Sequence, residues 1–287
     1  VLEHPYVTEA EFRFHPTFID SRNLITGGTA LQQNASLTNL LLEASQWADE
    51  KVDMPLGAHV RTERSRITAS KGGQLRYHPE HAPVITVTAM SFGATPDTLA
   101  AQTDPQVWTE NDGRIVVAFS PSGGSGLGSL QFGSPPAMVE QLVSWTYVAG
   151  YPSSQLAEPA TAGVSTIELL DTTGILTGTV LRLWTPGLEE AVTVDSVSGT
   201  TLTLTRALAN AHPAGSSCSS LPATARQAVI NYACMLLMRP AGGGESNYGK
   251  GAIAPSATST DSRRQHGGGG VFYDDACKLL KPFKRIR

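Results

Sequence analysis

Apolar positions along the chain change period several times, and each change marks an element. From Ser36 the residues Leu37, Leu40, Leu41, Ala44 and Ala48 recur at i, i+3, i+4, i+7 and i+11, with Val52 extending the line. That is one stripe of an amphipathic helix, which Pro55 and Gly57 end. Before it, Thr8-Glu-Ala-Glu11 has capping-box spacing, and Pro16 limits that first helix to about a turn and a half. A second long helix is expected over Ala223–Arg239. Pro222 suits its first turn, and Ala225, Val229, Tyr232, Ala233, Leu236 and Leu237 form its apolar face.

Elsewhere the period drops to two. His59–Ile67, Pro83–Phe92, Val107–Trp108, Arg114–Phe119 and Val139–Val148 read as strands, with Asn111-Asp112-Gly113 as a hairpin turn. Four more short runs follow Pro152: Ser165–Leu169, Thr179–Trp184, Glu190–Val194 and Thr201–Thr205. Asp171–Gly174, Pro186-Gly187 and Ser198-Gly199 separate them as turns, which fits a small β-barrel or sandwich. Residues 241–270 are poor in apolar side chains and rich in Gly and Ser, and read as a flexible linker. In the closing segment 271–287, Ala276, Leu279, Leu280 and Phe283 share a helical face up to the Pro282 break.

Composition adds a charge asymmetry. Residues 250–287 carry eight basic and three acidic side chains, a net of +5, so a chain of net −4 has −9 in its remainder. A basic tail on an acidic body suits an acidic partner surface or nucleic acid. The basic residues alternate with Phe272, Tyr273, Leu279, Leu280 and Phe283, which favours an amphipathic segment that docks in a partner groove. Charged residues make up only 16% and Gly and Pro number 28 and 18, which favours a strand- and loop-rich protein over a helical bundle. No apolar run reaches the ~20 residues of a membrane helix, so no membrane partner is expected. The opening residues Val1–Pro5 show no basic-then-apolar pattern, and no secretory leader is expected in them.

Catalytic motifs are missing from the sequence. Cys218, Cys234 and Cys277 lack C-x-x-C spacing and read as reduced thiols, with no zinc site. Gly124-Ser-Gly126-Leu-Gly128 departs from dinucleotide-loop spacing, and Pro135-Pro136 follow it. His78-Pro-Glu-His81 places two imidazoles three apart, but Pro79 and Pro83 make a turn the better reading than a metal-binding helix. No H-E-x-x-H or G-x-S-x-G occurs. Trp47, Tyr147 and Trp184 read as core or interface anchors. No catalytic residue, cofactor or metal is therefore expected, and the protein reads as a non-enzyme.

Several stretches, taken in order, resemble the phage head–tail connector family, whose members form rings beneath the portal. They are Leu37–Val52 with Ala44–Asp49 at its centre, Arg61–Arg64, Ala82–Val87, Val143–Pro152 with Tyr147–Tyr151, Leu221–Pro240, and Leu279–Arg285. Segment 158–219 departs from the smallest members of that family and reads as an insertion. The resemblance implies an α+β fold: a helical connector core with short antiparallel strands, an inserted small all-β domain and an extended C-terminal tail. The corresponding organisation is a first core part at 1–157, the β-domain at 158–219, a core helix at 220–240, the linker at 241–270 and a docking segment at 271–287.

The function it implies is that of a structural head-to-tail adaptor in a tailed bacteriophage virion, assembled in the bacterial host cytoplasm. Its partners would be the portal protein, a tail-side connector or tail terminator, and itself in a ring of about twelve copies. Double-stranded DNA would pass through transiently, and an acidic lumen would keep it from sticking. By the same resemblance Leu279, Leu280, Phe283, Lys284 and Arg285 would dock on the portal. Another virion component (a tail terminator, stopper or decoration protein) shares the β-rich composition. A hydrolase or carbohydrate-binding protein, with the β-domain as its binding module, is a third reading.

Overall fold

The computed structural model describes residues 2, 4–17, 19–22, 24–68, 74–93, 95–101, 106–110, 114–118, 140–238 and 269–284. Among them the chain is mostly β: thirteen strands in three antiparallel sheets, with four α-helices. This corrects the expectation of an α+β helical connector core. The chain forms two compact units, Val1–Gly57 with Pro152–Arg287, and Ala58–Tyr151. The expected breaks lay at 157/158 and 219/220. The compact units divide at 57/58 and 151/152.

The unit Ala58–Tyr151 explains the correction. It contains β1 (His59–Thr68), β2 (Gln74–Tyr77), β3 (Val84–Gly93), β4 (Ala100–Ala101), β5 (Gln106–Thr109), β6 (Ile115–Ala118) and β7 (Glu140–Ala149). These make a four-stranded sheet ordered β1-β7-β3-β4 and a three-stranded sheet ordered β2-β6-β5. Alternation gives each sheet one apolar face. Val143, Trp145, Tyr147, Met90 and Phe92 from the larger sheet meet Ile115 and Val117 from the smaller. Trp145 lies parallel to Tyr77 at 5.4 Å. The strands thus bury a core of their own, as in a sandwich.

The other unit combines helices with a six-stranded sheet. The helices are α1 (Glu9–Phe14), α2 (Ala30–Val52), α3 (Ala223–Met238) and α4 (Gly269–Leu280). Thr29 and Gln32 form a capping box, so α2 starts about six residues before the expected Ser36. Leu37, Leu41, Ala44, Ala48 and Val52 are buried along its stripe. Thr8 and Glu11 cap α1 reciprocally.

The strands are β8 (Ser153–Gln155), β9 (Thr166–Glu168), β10 (Val180–Thr185), β11 (Leu188–Ser198), β12 (Thr201–Leu204) and β13 (Ser217–Ser219), ordered β8-β13-β10-β11-β12-β9. The sheet curls until its edges approach. Leu170 N–H donates to Gln155 O at 3.0 Å, Ala157 N–H donates to Glu168 O at 2.9 Å, and Leu156 bridges Leu169. Inside the curl lie Leu156, Ile167, Leu181, Leu183, Val192, Val194, Leu202 and Cys218.

Candidate docking segment and interaction surfaces

The closing segment is a helix because its apolar residues recur at helical spacing, and it packs against α3 and α2. Ala276 and Leu280 are fully buried there. Tyr273 completes an aromatic cluster: Trp47 stacks on Tyr232 at 3.8 Å and 4°, and Tyr273 stands 5.8 Å from Trp47 and 6.3 Å from Tyr232. Lys51 Nζ donates to Tyr273 Oη at 3.4 Å and lies 5.5 Å from the ring centroid. That hydrogen bond raises the Lys51 pKa against the opposing effect of partial burial.

The five residues expected to dock are therefore not equivalent. Leu280 is committed inside the chain, Leu279 and Phe283 are half-buried, and Lys284 is exposed. Arg285 lies outside the described residues, as do the 241–268 part of the expected linker and the glycine loop Gly124–Gly128. The outward side of α4 and the turn after it presents Lys278, Lys281 and Lys284, with Lys278 bonded to Asp275 at 3.1 Å.

His81 pairs with His59 rather than His78, with Nε2 of His59 2.6 Å from Nδ1 of His81. Burial, and after it His59, lowers the His81 pKa. Nearby, the buried Glu63 carboxylate accepts from Tyr147 Oη at 2.5 Å, from Tyr77 Oη and from the Glu80 N–H at 3.0 Å. The Tyr147 hydroxyl in turn accepts from the His81 N–H at 3.1 Å. Burial and then the Glu63 bond push both tyrosine pKa values up. A carboxylate held this way fixes the 78–82 turn onto β1.

A second network lies in the curled sheet. His212 Nε2 is 2.8 Å from Glu190 Oε1 and its Nδ1 is 2.6 Å from Thr185 Oγ1, which is 3.1 Å from Ser216 Oγ. Hydroxyl, imidazole and carboxylate stand in the order of a nucleophilic relay. The imidazole has 0% exposure. Glu190 also accepts from the Ala209 and Asn210 N–H groups, which ties the β12–β13 connection to β11. Burial raises the Glu190 pKa, but these bonds outweigh it and the net shift is downward.

Arg182, on the outer side of β10, joins the sheet to α1. Its Nη1 meets Glu11 Oε1 at 2.5 Å and its Nε meets Glu189 Oε1 at 2.8 Å. Beside it an open cleft of about 240 Å³ is lined by Arg182, Glu189, Ser219, Ser220, Leu221 and Arg226. Burial and then Arg182 push the Arg226 pKa down. Two guanidiniums and the carboxylates of Glu189 and Glu190 in its lining leave the cleft balanced in charge.

Among the described residues no group of three His, Cys, Asp or Glu can hold a metal ion. Cys218 and Cys234 are buried, which pushes their thiols up to about 12. No described helix is long and apolar enough to cross a membrane. No protein-family model, curated protein or solved structure matches the chain.

Of these features sequence reasoning missed the Glu11–Arg182 contact and both carboxylate networks. Glu11 was legible only as a cap, because its partner lies 171 residues away. Glu63 alternates with Arg61 and Ser65 on the inward side of a strand, a position where a carboxylate needs donors. That was the one available signal.

Proposed function

We propose that this chain is a structural, non-enzymatic head-to-tail adaptor of a tailed bacteriophage, acting as a ring subunit between portal and tail. The observation that carries this reading is the order of its pieces: a long helix, paired ten-residue strands, a later helix and a closing amphipathic helix with exposed lysines. That order follows the stretches that resemble the connector family. The polar networks support it by being satisfied and closed, as in a protein whose carboxylates brace strands rather than meet substrate.

The docking element of this reading is the lysine-bearing side of α4 and its following turn. Leu280 holds α4 in place, while Lys278, Lys281 and Lys284 face outward. Charge reversal of the three lysines is the corresponding test. It leaves the buried stripe intact, removes portal binding if the reading holds, and leaves portal binding unchanged if it fails.

The predominance of strands favours a second reading, another virion component such as a tail terminator, stopper or decoration protein. In that case the same variants still join tails or capsids, and the unmodified chain never contacts portal.

A further inference from the structure

We propose that His59 and His81 form a pH-sensitive clasp, which holds the 78–82 turn on β1 while at most one of the two rings is cationic and releases it when both are. His59 opens β1, and His81 sits in the turn between β2 and β3. His59 Nε2 stands 2.6 Å from His81 Nδ1, with the ring centroids 4.8 Å apart and the planes tilted by 59°. At that distance the two nitrogens share a single hydrogen, donated by one and accepted by the other. Two neutral rings satisfy this arrangement, and so does one neutral ring beside one cation. Two imidazolium rings do not, because both facing nitrogens then carry hydrogen and both rings carry charge. The second proton therefore turns an attraction into a repulsion.

The surroundings add to that effect. The groups that face His81 are His59, Arg61 and Glu63 of β1, Glu80 of its own turn and Tyr147 of β7. The two carboxylates favour the His81 cation, but Arg61 lies 3.1 Å from Glu80 and 3.6 Å from Glu63 and offsets them. Burial, then His59, then Arg61 hold the His81 pKa below its ordinary value of 6.5. A lowered folded value means that the unfolded chain takes up this proton more readily. The contribution of the pair to stability is therefore present above pH 6.5 and is lost as pH falls below it. Two backbone bonds tie down the same turn: Glu80 N–H donates to Glu63 at 3.0 Å, and His81 N–H donates to Tyr147 Oη at 3.1 Å. Both amides adjoin the clasp, so they report its opening. The pair lies within the single unit Ala58–Tyr151, and the inference stands apart from the adaptor reading.

The test is amide hydrogen exchange of the full chain, read residue by residue by NMR at about pH 7.5 and about pH 5, between which histidine titrates. Rates are corrected for the intrinsic pH dependence of exchange. The comparison variant is His59→Gln. A glutamine amide donates to a neutral His81 and, turned over, accepts from its cation, so this bond survives in both states. In the unmodified chain the protection of the Glu80 and His81 amides should fall about tenfold on acidification, while the amides of β7 keep theirs. In His59→Gln the same protection should change by less than about twofold. Imidazole nitrogen shifts of the unmodified chain are a second readout that needs no variant. The two rings should titrate as a coupled pair, with the second step coinciding with the loss of protection. Constant protection in the unmodified chain overturns the proposal. So does an equal loss in His59→Gln, an equal loss across β7, or independent titration of the two rings.

Discussion

Glu11 Oε1 and Arg182 Nη1 meet at 2.5 Å across 171 residues of sequence. One carboxylate thereby caps α1 through Thr8 and holds β10 through Arg182. Glu11 is 7% exposed, so loss of its cation leaves a buried charge without its main partner. Breaking a buried pair from one side costs about 3–5 kcal/mol, and the partial exposure of Arg182 puts Arg182→Ala near the lower end, about 3 kcal/mol. Urea denaturation of Arg182→Ala, Glu11→Gln and the double variant checks this. The double variant should be less destabilised than the two single effects added together.

Asp49 gives the protein a pH dependence with a definite sign. It accepts from Tyr6 Oη at 2.8 Å and from the Leu56 N–H at 2.9 Å. Burial nevertheless raises its pKa from 3.8 to about 6. The folded state therefore binds this proton more tightly than the unfolded state. The Asp49 contribution to stability rises as pH falls from about 6 toward 3.8, and ionisation at neutral pH opposes folding. Asn keeps an acceptor for both donors without the charge. Asp49→Asn should be as stable as the parent or more so at pH 7, and should flatten the stability profile between pH 4 and 6. Thermal melts across that range read both effects.

The Glu63 network predicts an asymmetry between its tyrosines. Tyr147→Phe removes a donor to a buried carboxylate and the acceptor of the His81 N–H together. Tyr77 is less buried than Tyr147, so water can replace its hydroxyl more readily. Tyr147→Phe should cost about 2–3 kcal/mol and Tyr77→Phe less, measured by chemical denaturation. Equal costs would mean that burial does not govern this network.

Leu280 and the lysines of α4 should separate stability from binding. Leu280→Ala opens a cavity against α3 and α2 and should cost about 2–4 kcal/mol. Charge reversal at Lys278, Lys281 and Lys284 should change stability by under 1 kcal/mol. Denaturation of purified chains measures both.

The legible parts of the fold were those where periodicity and burial agree. The stripe from Leu37 to Val52 and the alternation of Val143, Trp145 and Tyr147 point to the cores they occupy. The start of α2 was present as Thr29-Ala-Leu-Gln32, a capping box about two turns before the apolar stripe begins. β8 and β13 were invisible because Ser153–Gln155 and Ser217–Ser219 have no strand preference; pairing across the curled sheet makes them strands. The helical core expected from the connector resemblance was wrong because Trp145 and Met90, on ten-residue strands, meet Ile115 in a core between two sheets. The stripe of the docking segment was legible, but not which face it spends on its own chain. Trp47, Tyr232 and Tyr273 are far apart in sequence, and their stack decides that.

Cross-linking mass spectrometry on intact phage particles tests the adaptor reading most directly. The readout is the set of partners linked to Lys278, Lys281 and Lys284, the exposed lysines of the closing segment. Links from these lysines to portal protein are the expected result. Links only to tail or capsid proteins, or absence of the chain from particles, would contradict it.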